Sequence, residues 1–344
     1  MTGTGPASRT NSAATTASTR GQFDAIVVAN VPLCREHYRL VLRVALAFPP
    51  TEPGQFMQVA CRDLSRDYSP EHEQHWAPGA TFDVAGRELM SPLAFLRRPF
   101  SLAGRRDVVG GGGATELDLI HRVVGVGTDW MSKLAPGDVV GVLGPLGNRF
   151  ALPPADGLAL LVGGGVGIPP MLYLAERLAG RRGVAFCGAL TRDLLPLTIT
   201  ATAPAPTTES TDPVFNIAEF AGHGIPSVIT TDDGSFGYRG YVTQALEAWL
   251  DRELSDPAAR ARAVIYTCGP EPMMKRVGDI ATRRGIACQI AVERAMACGM
   301  GTCQSCCIKV RKPDPSRPPL AGKDWCWRLA CTDGPVFEAK DLLW

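Results

Sequence analysis

The amino-acid sequence predicts a multidomain chain: an antiparallel β-barrel, then a doubly wound α/β domain, then a small C-terminal domain organised by its cysteines. Three observations carry this reading. Residues 22–156 run as short β-like stretches broken by Gly and Pro, such as FDAIVVANVPL, YRLVLRVAL and GDVVGVLGPLG, the punctuation of an antiparallel barrel or sandwich. Residues 157–285 alternate apolar strands with helices: LALLVGGGVG leads into PPMLYLAERLAGR, and AVIYTCGP into EPMMKRVGDIATRRG, as in a mostly parallel sheet. Residues 286–344 are too short and irregular to fold without a staple or metal, and four of the chain's 11 cysteines fall within positions 298–307.

Taken in order, residues 1–21 are rich in Ser, Thr and Ala, lack an apolar signal-peptide core, and predict a disordered tail. Residues 62–90 are polar and weakly periodic, an excursion from the barrel. Residues 196–214, rich in Thr, Pro and Ala, read as an inserted loop. The stretch 157–175 carries no charge over 19 residues, close to membrane-spanning length, but its Gly triplet and Pro pair suit a strand, a tight loop and a helix start. A composition of 45% hydrophobic and 20% charged residues is that of a soluble globular protein. A net charge of +1 argues against nucleic acid or an acidic membrane surface as the main partner. With no export signal the expected location is cytoplasmic and reducing, where cysteines serve as metal ligands or free thiols.

Cys298, Cys303 and Cys306 are spaced C-x4-C-x2-C, and Cys331 lies 25 residues further on, the plant-type ferredoxin spacing for a 2Fe–2S cluster. Gly299 and Gly301 let the loop wrap so that backbone N–H groups face the sulfides. A zinc site more typically shows paired C-x2-C arms, often with a His, and no His lies beyond position 223. Cys307 and Cys326 are spare thiols. Spacing selects Cys306 over Cys307 and leaves Cys326 open as an alternative to Cys331.

In the barrel, Arg98, Pro99, Phe100 and Ser101 form an R-P-F-S strand, and Gly125, Gly127 and Thr128 a G-x-G-T turn leading into a short helix. Such a helix start offers amides to a diphosphate, Arg98 a matching charge, and Ser101 a hydrogen bond to a flavin ring edge. In the α/β domain, Gly163, Gly164, Gly165 and Gly167 form a Gly-rich loop that misses the last position of the G-x-G-x-x-G fingerprint. Cys268, Gly269 and Pro270 end a second strand at the same carboxyl edge, where open α/β sheets bind ligands. Cys268 is placed to border a nicotinamide ring. Arg192 is an exposed-loop cation with the chemistry to meet a 2′-phosphate; NAD is nonetheless the expected dinucleotide.

The ordered set R-P-F-S, G-x-G-T, G-G-G-x-G-I-x-P with C-G-P, and C-x4-C-x2-C with a closing C-x-D-G-P resembles the ferredoxin–NADP reductase superfamily. GPLGNRF, TDDGSFGYRGYVT, CGMGTCQSC and CTDGPVF bring it closest to the electron-transfer subunits of class 1B dihydroorotate dehydrogenase, over roughly residues 22–340. The resemblance implies an FAD barrel (22–156), an NAD domain (157–285) and a 2Fe–2S domain (286–344). It also implies FAD contacts from the residues just named and from Ile120, His121 and Arg122, with His121 standing where the family often has Tyr. Cluster ligation by Cys298, Cys303, Cys306 and Cys331 follows from the same resemblance. So does a partner, an FMN-containing dihydroorotate dehydrogenase subunit assembled with this one as a heterotetramer. In the implied scheme dihydroorotate reduces FMN on the partner, and single electrons cross the cluster to FAD, which passes a hydride to NAD+. Two alternatives share parts of this pattern. One is an NAD(P)H-linked ferredoxin oxidoreductase or sulfide dehydrogenase subunit of the same superfamily, and the other a non-catalytic zinc-stapled nucleotide-binding regulator.

Overall fold

The computed structural model describes residues 20–45, 48–62, 96–110, 112–200, 207–311 and 324–344. The expected tail up to residue 19, the excursion from 63 onward and positions 201–206 of the insert lie outside the described residues.

Seven strands form the first sheet: β1 (Gly21–Cys34), β2 (His37–Val44), β3 (Phe56–Val59), β4 (Arg98–Ser101), β5 (Gly104–Asp107), β6 (Thr115–Arg122) and β7 (Val139–Leu146). Their order is β4-β3-β7-β1-β2-β6-β5, antiparallel throughout. Period-2 patterning builds it. In β2, Leu40, Leu42 and Val44 enter the core beside Leu117, Leu119, Val140 and Val142. On the other face Arg39 pairs with Asp118, and Arg43 with Glu116. The sheet curls because β4 and β5 are consecutive in the chain but stand at opposite edges. Between them, the Leu102 amide donates to Gln55 O beside β3, and the next amide, Ala103, donates to Asp118 O on β6. The result is a curled antiparallel sheet, a half-barrel, from which α1 (Val126–Ser132) leaves after β6.

The second sheet comprises β8 (Leu158–Gly164), β9 (Gly183–Ala189), β10 (Ser227–Thr231), β11 (Tyr238–Arg239), β12 (Ala263–Cys268) and β13 (Ala287–Ala291), in the order β11-β10-β9-β8-β12-β13, all parallel. Its central strands are apolar on both faces, as a doubly covered sheet requires. Ala159 and Leu161 of β8 pack with residues of α2 (Ile168–Arg177) and α3 (Ala218–Ala221). Leu160 and Val162 pack with α4 (Val242–Glu253) and α6 (Glu271–Arg284), and α5 (Pro257–Arg260) links α4 to β12. The uncharged stretch 157–175 is thus β8, a Gly loop and the start of α2. Among the described residues no helix is long and apolar enough to cross a membrane.

The third unit is a small sheet, β15-β14-β17, made of β14 (Cys307–Val310), β15 (Cys326–Leu329) and β17 (Leu342–Leu343). The segment between β15 and β17 does not stay with it. β16 (Val336–Glu338) adds antiparallel to β13, pairing Ile290 with Phe337 and Ala291 with Val336, and becomes the outer strand of the α/β sheet. Asn148, just after β7, fastens the same segment. Its Nδ2 donates to Asp333 O (3.0 Å) and Val336 O (2.8 Å), and its Oδ1 accepts from the Val336 amide (2.9 Å). All three units therefore meet at residues 333–336.

Candidate functional site

The cysteine loop hangs between β13 and β14. Two left-handed glycines shape it, Gly299 at φ 69° and Gly301 at φ 88°, with Gln304 also at positive φ (59°). The turn aims amides at sulfur: Met300 N and Cys303 N donate to Cys298 Sγ at 3.4 and 3.3 Å. Cys303 is exposed. Hydrogen bonds from Ser305, and then from Cys298, pull its thiol down to about 6. Cys306 and Cys331 are 1% and 2% exposed. Burial, and then the Cys306 sulfur, push Cys331 up to about 12.

Of the four, Cys298 and Cys303 are joined directly by the Cys303 amide on the Cys298 sulfur, and the Cys306 and Cys298 thiols both act on Cys331. Among the described residues no three His, Cys, Asp or Glu side chains converge as one metal-ion site. Four thiols brought to one loop and its neighbouring strand end are the donor set that a 2Fe–2S cluster takes. Cys306 and Cys331 are both buried and not disulfide-bonded. Cys307 starts β14, paired with Leu329, and Cys326 lies at the far end of that ladder, opposite Val310.

The loop rests on the half-barrel. Gln58 of β3, 1% exposed, donates from Nε2 to Ala297 O at 3.2 Å, and its backbone is paired with Pro99 of β4. Arg98, Pro99, Phe100 and Ser101 are the whole of β4 and all half-buried. Phe100 meets the His121 ring edge-on at 6.2 Å, and Tyr38 stacks on that ring at 5.7 Å. His121 is 1% exposed with both ring nitrogens unpartnered, and burial pushes its pKa down to about 4. A buried imidazole without partners is costly, so an orphaned His121 beside β4 fits a polar ring lodged there. Ile120 points the other way, into the α/β core, and Arg122 pairs with Glu36. Gly125 caps α1 with nothing within 4 Å of where a Cβ would stand, and Thr128 Oγ1 accepts from the Val124 and Gly125 amides.

At the carboxyl edge of the second sheet lies a cavity of about 770 Å³, walled by Gly164, Gly165, Pro270 and Met273 on one side and by His37 and Arg122 of the half-barrel on another. That is the size of a small-molecule or cofactor site. The predicted glycines divide into two groups. Gly165, at φ 53°, has open space around it. A Cβ on Gly167 would stand 2.1 Å from Cys268 O, and one on Gly269 (φ 151°) 2.7 Å from Met273 Cε. Gly163, Gly167, Cys268 and Gly269 sit behind the cavity wall and let the ends of β8 and β12 close on each other. Cys268 is buried, its thiol pushed up to about 12 by desolvation. Arg192 lies with its guanidinium 5.3 Å from the Phe236 ring centre and its amide bonded to Ser235 Oγ (2.8 Å). Sequence reasoning missed His37, Gln58 and Asn148, because a lone His, Gln or Asn has no local pattern to distinguish it.

Comparison with known proteins completes the description. The family model for the iron–sulfur cluster binding domain of dihydroorotate dehydrogenase B matches residues 293–343. The chain is 34% identical over 319 residues to the dihydroorotate dehydrogenase B (NAD(+)) electron transfer subunit of Geobacillus thermodenitrificans, covering 92% of this chain and 96% of that one. It is 28% identical to the subunit of the same name from Caldanaerobacter subterraneus, covering 94% and 99%. Among solved structures it resembles the NADH-dependent reduced ferredoxin-NADP oxidoreductase, with a TM-score of 0.64 at 24% identity over 93% of this chain and 90% of that one, a likeness of fold.

Proposed function

The chain belongs to the family of dihydroorotate dehydrogenase B (NAD(+)) electron transfer subunits, and from that premise we propose how its residues serve electron transfer between a dihydroorotate-oxidising partner and NAD+. When bound, a 2Fe–2S cluster supplies one-electron exchange, FAD exchange of either single electrons or a hydride, and NAD hydride exchange alone. Cys298, Cys303, Cys306 and Cys331 hold the cluster, with the Met300 and Cys303 amides donating to a ligand sulfur. Arg98–Ser101, His121 and Arg122 of β6 and the Gly125–Thr128 turn hold FAD, while the Ile120 side chain packs into the α/β core. Gly163–Gly167 and Cys268–Pro270 form the NAD wall, of which Gly164, Gly165 and Pro270 face the ligand and the others keep the wall closed. The partner is an FMN-containing dihydroorotate dehydrogenase subunit in a heterotetramer, and the assembly is cytoplasmic.

The observation that carries this reading is the convergence of three sites on the half-barrel. The cysteine loop bonds to Gln58 beside β4, and the α/β cavity is walled by His37 of β2 and Arg122 of β6, which the curl of the sheet brings toward β4 through the Phe100–His121 contact. No chain of side chains for substrate acid–base chemistry is needed in a relay of this kind. The test is anaerobic purification of the complex from native cells, followed by an assay of dihydroorotate-dependent NAD+ reduction. Activity supports the assignment. A complex that carries FAD and cluster, holds a different flavoprotein and ignores dihydroorotate would transfer the function to a ferredoxin-linked or sulfide-linked reductase.

A further inference from the structure

β3 faces two units at once. Its residues Phe56, Met57, Gln58 and Val59 are all buried, and Gln58 is the polar one among them. Met57 and Val59 pack into the half-barrel core. Phe56 and Gln58, on the other face by the two-residue period of a strand, turn to the cysteine unit. Phe56 shares a core with Cys306, Ala330 and Cys331, and Gln58 Nε2 donates to Ala297 O at 3.2 Å, one residue before Cys298. A buried amide is costly unless it is bonded, so this contact is what makes a glutamine tolerable in such a strand. From Ala297 onward the loop is tied to itself. The Ala297 amide donates to Ser305 Oγ at 3.2 Å, and the Met300 and Cys303 amides to Cys298 Sγ. Upstream, Arg294 bonds to Glu271 of α6 at 2.7 Å. On the barrel side Gln58 is paired with Pro99 and Phe56 with Ser101. An unbroken run of covalent and hydrogen bonds therefore leads from Cys298 through Ala297 and the Gln58 side chain to β3, which pairs with β4.

We propose that Gln58 is a positioning residue for electron transfer: it holds the Cys298 end of the cysteine loop at a fixed approach to the flavin strand β4, and so sets the rate at which single electrons pass between cluster and FAD. The proposal rests on the cofactor reading above. Electron tunnelling weakens steeply with distance and is carried better through bonds than across a gap, so a loop that drifts from β4 keeps its ligands but loses rate. Gln58 suits the task because it acts on the loop's approach while contributing no ligand. Its backbone is locked in a sheet and its side chain is buried, so the contact is rigid on both sides.

The experiment uses the full chain with flavin and cluster in three forms: wild type, Gln58→Leu and Gln58→Met, both of which fill the site without a donor. Iron, sulfide and FAD are quantified first. NADH is then mixed anaerobically with each form. It gives a hydride to the flavin, and one electron moves from the flavin to the oxidised cluster, taking one iron from ferric to ferrous, which the loss of cluster absorbance reads. With full cofactor content, the variants are expected to reduce the cluster about tenfold more slowly than wild type, while NADH reduction of a dye by way of the flavin is kept. Two readouts do not depend on turnover. Backbone amides of residues 297–303 should exchange with deuterium faster in the variants, while those of β3 and β4 stay protected. The electron-spin relaxation of a one-electron-reduced flavin, quickened by a nearby reduced cluster, should slow. The proposal is overturned if a fully loaded variant reduces its cluster at the wild-type rate with unchanged relaxation. It is also overturned if dye reduction falls in parallel, since Gln58 would then support β4 as a whole, or if both variants lose the cluster, since its part would then be in assembly. Wild-type protein that holds neither FAD nor cluster would instead overturn the cofactor reading itself.

Discussion

Gln58 and Gly299 stand against each other across the junction between β3 and the cysteine loop: a Cβ on Gly299 would lie 2.8 Å from Gln58 Cδ. Gln58 is buried and held by its bond to Ala297 O, so it cannot simply swing away. Gly299→Ala is therefore expected to lower iron and acid-labile sulfide per chain while FAD content holds. Gln58→Ala in the same chain should recover part of the cluster, leaving the roughly 1 kcal/mol cost of a non-glycine residue at φ 69°. Iron, sulfide and flavin quantification on the three variants checks this; parallel loss of FAD would show that the loop and β4 fail together.

Gly165 and Gly167, two positions apart, should respond oppositely to one methyl group. Gly165→Ala meets open space and bears only its left-handed conformation, about 1 kcal/mol. Gly167→Ala drives a Cβ into Cys268 O at 2.1 Å, which only a backbone shift relieves, at a cost above about 3 kcal/mol. Thermal unfolding should show a small change for the first and a large one, or insoluble protein, for the second.

His121 makes stability acid-sensitive. Its folded pKa, about 4, lies below the ordinary 6.5, so between those values the unfolded chain binds the extra proton and stability rises with pH. Stability is therefore full above about pH 6.5 and lost as pH falls toward 4, by about 3 kcal/mol over the window. His37, shifted the same way by burial, adds to it. Urea denaturation at pH 7 and pH 5 should show the drop, and His121→Phe should flatten it.

Cys303→Ser should remove the cluster's visible absorbance and block electron entry from the partner, while NADH oxidation by a dye survives through the flavin. Equal loss of dye reduction at full FAD occupancy would mean that the sites are not arranged as a linear relay.

Asn148→Ala removes both bonds from Nδ2 and the one to Oδ1, leaving groups of residues 333–336 unpaired. The expected cost is about 1–3 kcal/mol of global stability, read by denaturant unfolding, with faster cluster loss because Cys331 lies just upstream of the clamp.

Much of this architecture is legible in the residues themselves. Strands such as His37–Val44 announce an exposed antiparallel sheet by alternating Leu with Arg, and Leu158–Gly164 announces a buried parallel one by having no polar face. The cysteine spacing is legible for the same reason, since Cys298, Cys303 and Cys306 fall within one short loop. What is not legible is long-range. The pairing of Gln289 with Glu338 joins residues 49 apart, and no local pattern says which edge Val336–Glu338 will take. Gln58 and His37 acquire their roles only when another unit arrives beside them. Among the predicted glycines, only the structure separates Gly165, which borders the cavity, from Gly167, which seals the wall behind it.

The strand that completes the α/β sheet also sets an order of events during biosynthesis. β16 is made later than every other strand of that sheet, so on the ribosome the outer edge of β13 waits, unpaired, until the chain has passed the whole cysteine loop. An open strand edge is a template for pairing with other chains. Nascent or prematurely terminated chains that stop before residue 336 would therefore be prone to aggregate, and the same strand that shields the sheet ensures that a lasting soluble product has already made Cys298, Cys303, Cys306 and Cys331.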